Sequence, residues 1–407
     1  FGLRASLSDG DLRVEADGPS ALAAASGLRL EADGPDGGSW LRVQGGDALM
    51  SGSLRLSGGG MPQMSADLGT TRLNAASFSL EGAALNLAPW AAGGRTIAAD
   101  LSALDYTTDA EGFQARGQGA FTLTGELEGV TLQRTRLAGG LSAVQDAAGL
   151  RVQADGAPCL AVTSDGIVTG GITIPRAAFD ICPVDGRYIR QGSPLSGAVN
   201  LGNVDIPLEF SEGQGTLALQ RAKADWTLSK NFQMVLGADT LSMPMTLGEN
   251  TLTIDSGAPQ IRLVTGAGPV GITASLGQTQ FGGGMIPANV SAAQFGFQGT
   301  SAPGGLSGDV TATSVRIADT LKDAIYEPVV GDFSGRIEGQ RLVASGPFRL
   351  ETSGTRIATA SADINIFDLD GTAAINTEQL VFFPGGIQPS MISRRLVGLF
   401  TAAEGEF

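Results

Sequence analysis

The chain has 407 residues, 60 of them Gly, no His, and a net charge of −15. With 42% hydrophobic and 16% charged residues it is too apolar for a disordered chain. The acidic balance excludes nucleic-acid binding through a basic patch, which needs clustered Lys and Arg, and the missing His excludes serine–histidine and cysteine–histidine nucleophile systems.

In chain order, short alternating runs come first: Leu12-Arg-Val14, Leu28-Arg-Leu30, Leu41-Arg-Val43, Leu54-Arg-Leu56 and then Phe121-Thr-Leu123. Each puts apolar residues on one strand face and polar residues on the other. Turn signals stand between them, among them Asp17-Gly18-Pro19, Asp33-Gly34-Pro35, Gly58-Gly59-Gly60, Asp155-Gly156 and Asp165-Gly166, and read as hairpin turns. Cys159 and Cys182, each beside a Pro and separated by a strand-like segment, read as one disulfide clasping a hairpin, with two buried free thiols as the alternative. Two Cys without His cannot complete a zinc site, and no metal or cofactor is expected.

Farther on, Leu217-Ala-Leu219 precedes the clearest alternation. Ala222, Ala224, Trp226 and Leu228 share one face and Arg221, Lys223, Asp225 and Thr227 the other, which no 3.6-residue period could separate. Leu241, Met243 and Met245 repeat the pattern, as do Leu252 and Ile254, Phe348 and Leu350, and the run through Ile364 and Ile366. Helical signals are confined to 390–402, after Pro389, and more weakly to 318–326, where Pro328 would end a helix. Asp368-Leu-Asp370-Gly371 begins like a calcium loop, but Thr372 and Gln379 fall where ligands are needed, so it reads as a turn.

The expectation is an all-β fold: one continuous, elongated, twisted antiparallel groove over 1–407, with sub-segments 1–150, 151–317 and 318–407 and one or two short helices near the C-terminal part. Some 30 strands at about 4.8 Å would span on the order of 140 Å. No run of 18 apolar residues is present, and a chain that begins at Phe1 without Met reads as part of a longer polypeptide with any membrane anchor outside it.

The apolar stripe needs a cover. A filled core, a packed partner and a half-open trough holding lipid tails all satisfy the pattern. An adhesin-like or secreted β-solenoid with a dry core is the structural alternative. A carbohydrate-active enzyme needs paired carboxylates, whereas most Asp and Glu here fall in turns or on polar faces.

The weights change with Phe333-Ser-Gly335, Gly346-Pro-Phe348, the run through Ile364-Asn-Ile366 and Leu380-Val-Phe-Phe-Pro-Gly-Gly-Ile-Gln-Pro389. These segments resemble the YdbH-type branch of the AsmA-like superfamily over residues 333–407. The resemblance implies a "taco"-shaped periplasmic β-groove that carries phospholipid, without catalysis, between inner and outer membrane. Acyl chains would then be covered by the apolar positions named above, with an inner-membrane anchor and a periplasmic or outer-membrane partner protein outside this chain. The family's N-terminal membrane helix is missing from the sequence.

Overall fold

The computed structural model describes residues 2–406 except 9–10, 128–129, 148, 170–171, 191–193, 211–212, 266–267, 285–287, 303–304, 322–325, 366–369, 378–380, 384–387, 398 and 400–402. The fold is nearly all antiparallel β-strand, as expected. Two units divide it: Phe1–Ile167 with Arg176–Asn200, and Val168–Pro175 with Leu201–Phe407.

In the first unit the strands are bent in the middle. The strand Asp11–Asp17 continues, after a corner at Gly18-Pro19, as Ser20–Ala23; Arg29–Asp33 and Ser39–Gln44 flank a corner at Gly34–Gly38. Asp47–Met50 and Ser53–Ser57 meet at Gly52, and Met64–Asp67 and Thr70–Leu73 at Gly69. Each half pairs with the matching half of the next bent strand: Asp11–Asp17 with Ser39–Gln44, and Arg29–Asp33 with Ser53–Ser57. The result is a meander of two-armed strands. Four long strands, Phe78–Ala92, Arg95–Asp109, Gly112–Leu127 and Val130–Asp146, run through both arms. The first two carry register shifts near Gly82 and Ala103, whose φ values are positive.

Several turn signals therefore serve a different purpose from the expected one. Gly58–Gly60 closes a hairpin, whereas Asp17-Gly18-Pro19, Asp33-Gly34-Pro35 and Asp155-Gly156 make corners between the two arms. Turn chemistry reports a change of chain direction but not its angle.

The second unit repeats the plan. Corners fall between Phe232–Gly237 and Thr240–Leu247, between Asn250–Gly257 and Gln260–Val264, and between Val270–Leu276 and Thr279–Gly282. One arm pairs Phe232–Gly237 with Gln260–Val264, and the other pairs Thr240–Leu247 with Asn250–Gly257.

Cys159 and Cys182 form the expected disulfide, bridging neighbouring strands of the first unit. The clasp is not a simple hairpin, because the chain between them passes through Gly166–Thr169 and Ile172–Ile174, and Thr173 pairs with Glu209 in the second unit.

Among the described residues of the helix expected at 390–402 there is one α-turn, Pro389–Ile392, then a 3₁₀ turn, Arg394–Leu396; residues 398 and 400–402 lie outside the described ones. Ser393 between them is extended and bridges Tyr326, so tertiary pairing overrides helix propensity there. No helix occurs among the described residues of 318–326; Ala318 ends a strand and Asp319 accepts a bond from the Leu321 N–H.

Candidate functional site

Strand pairing carries the apolar positions into continuous cross-strand rows. In one arm of the first unit a row runs Leu22, Leu30, Leu56, Met64, Leu87, Ala99, Phe121, Leu137, Val162 and Phe179. Beside it, nearer the corners, runs Ser20, Ala32, Leu54, Ala66, Leu85, Leu101, Gly119 and Gly139. In the other arm Ala16, Leu41, Met50, Thr71, Leu80, Tyr106, Ala115, Ala143, Val152 and Ile189 align. Val14 and Val43 start the next row out, and Leu12 opposes Leu7 beyond them.

The second unit has its own rows. Trp226, Met234, Leu263, Ile272, Gly299, Gly308, Ile337, Leu342, Ile364 and Gly371 form one. Met243, Ile254, Phe281, Val290, Ile317, Val329 and Leu350 form another in the opposite arm. None of these rows contains a charged residue.

Burial along the rows is graded. Next to the corners the side chains are covered: Ala16 is 1% exposed, and in the second unit Thr279 is fully buried. Farther out the same face opens, with Phe121 45% and Leu12 56% exposed. The first unit is a wedge whose arms meet at the crease and leave their outer apolar rows uncovered; in the second unit Leu228 is exposed at the outer end of its arm, whereas Leu350 in an outer row of the other arm is buried. The arms face one another: residues of both line a cavity of about 460 Å³ in the first unit, Ala115, Leu141 and Val152 from one arm and Leu101, Phe121 and Leu160 from the other. In the second unit the Phe281 and Phe295 rings, from opposite arms, meet edge to face at 5.4 Å. The area agrees: the chain exposes 23380 Å², whereas two separate compact bodies of half its mass would expose about 18,000 Å² together.

Glycine shapes the crease. Gly119 and Gly139 stand in register between Leu101 and the strand bearing Leu160, and a Cβ on either would press on those leucines. Among the described residues no buried side-chain nitrogen or oxygen lacks a partner; at the crease of the second unit Thr279 Oγ1 donates to the Gly277 carbonyl at 2.7 Å, and Ser256 Oγ to the same oxygen at 3.1 Å.

The opposite faces carry the charge, arranged in ion pairs. Arg13 and Arg42 both bond the Glu15 carboxylate and hold its pKa below the ordinary value. The Gly82 N–H, and after it Arg116, lower that of Asp105. Arg316 does the same to Glu351, and Arg341 to Asp363. Among the described residues no cluster of metal-ligating side chains occurs, and no helix is long and apolar enough to cross a membrane.

Most of the expected positions lie in described strands and alternate in phase with these rows. Leu219 and Leu241 are paired, as are Met245 and Leu252, while Leu123 lies between Ile97 and Thr135. Leu228 pairs with Phe232 and is exposed; Leu217 is half-buried; Phe348 is buried against the Phe333 ring. Leu28 is half-buried just before its strand, and Ile366 lies outside the described residues. The cavity residues Leu101, Leu104, Leu141, Val152 and Leu160 were not anticipated, although Ala115, Gly117, Gly119, Phe121 and Leu123 alternate in the signalling phase. Comparison with protein-family models, curated proteins and solved structures finds no match.

Proposed function

We propose that the chain is a non-enzymatic lipid-transfer module that conducts phospholipids along the apolar interior of its folded sheet, acyl chains inside and headgroups in water. The observation that carries this reading is the gradient across the uncharged apolar rows of the first unit, covered at the crease and open away from it. Hydrocarbon gains about 0.8 kcal/mol per buried CH₂ on such a surface, with no group that would favour one headgroup. The disulfide fits an oxidising compartment, and with the resemblance over 333–407 supports a periplasmic place between inner and outer membrane. On this reading an inner-membrane anchor and a receiving partner lie outside the chain.

The rival, a dry-cored structural β protein, calls for interior rows covered along their whole width, whereas Phe121 and Leu12 are open. A photoreactive residue at Phe121, Leu137 or Ile364 is expected to cross-link phospholipid, and one at the outward Thr122 or Thr227 to do so far less. Equal labelling at the two sets, together with no phospholipid in mass spectra of the native protein, would sink the proposal. Met243→Asp or Ile364→Asp is expected to stop transfer while leaving secretion intact; unchanged transfer would remove those positions from the path.

A further inference from the structure

The last part of the second unit is built unlike the rest. Val381–Phe382 and Gly405–Glu406 pair as a separate two-stranded sheet, closing residues 381–406 into a loop. The Gln388 side chain clips its interior: Nε2 donates to the Phe383 carbonyl at 2.8 Å and Oε1 accepts the Ala403 N–H at 2.8 Å. Between these ties the chain makes the two short helical turns, bonded through Ser393 N–H to the Pro389 carbonyl and Leu396 N–H to the Ser393 carbonyl. Among the described residues, main-chain bonds and the Gln388 side chain tie the loop.

Several of its large apolar side chains are exposed, although Phe382, Ile392 and Leu396 are half-buried. Val397 is 64% and Leu399 70% exposed, and Phe383, Met391 and Tyr326 are exposed as well, Tyr326 belonging here through its bridge to Ser393. None of them joins a cross-strand row, so the covering proposed for the groove does not reach them. Charge is sorted too. Arg394 and Arg395 are the only charged residues from 379 to 403, in a chain whose net charge is −15, while Glu404 and Glu406 stand at the base of the loop. A body so acidic is repelled by an anionic surface unless cations are placed locally.

We infer that this loop is a membrane-docking element that inserts the exposed Val397, Leu399, Phe383 and Met391 into the interface of a bilayer containing anionic phospholipid, with Arg395 at the headgroups. A bilayer suits apolar side chains carried on turns, because it demands no matching shape, whereas a protein partner needs a complementary face. The inference is independent of lipid passage along the groove.

The whole chain is mixed with vesicles of phosphatidylcholine alone, or of equal parts phosphatidylcholine and phosphatidylglycerol, and floated on a density gradient. Flotation with the anionic vesicles, weakened by salt, is expected. Val397→Asp with Leu399→Asp, both at exposed positions and checked for an unchanged melting temperature, is expected to lose binding at least about ten-fold. Arg394→Glu with Arg395→Glu is expected to lose about twenty-five-fold or more. Wild-type protein that floats with neither vesicle, or a double-Asp variant that floats like wild type, overturns the inference. So does a concentration-dependent dimer that the same variant dissolves without any vesicle binding, which would make the loop a contact between copies. Retained phospholipid, measured by mass spectrometry on the same samples, reports on the groove separately: its absence beside normal flotation sinks the transfer reading alone.

Discussion

At Gly82, Arg134, Arg221 and Ser314 the backbone has positive φ inside long strands, and each N–H is taken by a side chain of a neighbouring strand. Asp105, Thr124, Asn203 and Asp332 are those acceptors, and the bonds to the two Asp are 2.7 Å long. A bulge would otherwise leave these donors outside the ladder, so one short polar side chain holds each bend. Asn203→Ala is expected to destabilise by about 1 kcal/mol in thermal unfolding. The Asp105 pKa is lowered first by the Gly82 N–H and then by Arg116. A folded pKa below the unfolded one gives stability that is present above the unfolded value, near 4, and lost as pH falls through the folded value. The melting temperature is expected to fall below about pH 4, with a smaller fall in Asp105→Asn, which keeps an acceptor for Gly82 but gives up the charge; identical pH curves would contradict the assignment.

Among the elements, the corners decide the architecture. Gly52 has φ of 104°, and a Cβ there would run into the Asp33 carbonyl oxygen; Gly69, with φ of 53°, meets the Glu81 carbonyl in the same way. Gly52→Ala is expected to destabilise by about 2 kcal/mol or more, combining backbone strain with overpacking, and to speed proteolysis of the first unit. The disulfide ties strands 23 residues apart. Cys159→Ser with Cys182→Ser is expected to lower stability by about 3 kcal/mol through a less constrained unfolded chain, read as a shift in the denaturant midpoint.

On the scale of the whole molecule, the two units share one strand plan, with apolar rows on one face and ion pairs on the other, and in the first unit the outer rows of the interior stay open. An open apolar face is a liability in water, and a ligand that covers it stabilises the folded state by mass action. Protein stripped by detergent is expected to melt several degrees lower than protein as purified, and phospholipid added back is expected to restore the difference. A melting temperature indifferent to lipid would argue for a self-sufficient interior.

The fold class was legible because side-chain alternation is a local property: Trp226 and Leu228 opposite Asp225 and Thr227 can lie on two faces only in a strand. The disulfide was legible for a related reason, two Cys flanking strand-like segments in a His-free chain. The same local information could not separate a hairpin from a corner, so Asp17-Gly18-Pro19 read as a tight turn although it joins the two halves of a bent strand. Nor could it place Leu101 and Leu160 beside one cavity, because that neighbourhood depends on strand register summed over several pairings. Sequence by itself determined which residues share a face. Tertiary structure alone decided how far each stands from the crease, and so which are covered and which remain open, because burial depends on the opposing arm and no local pattern encodes it.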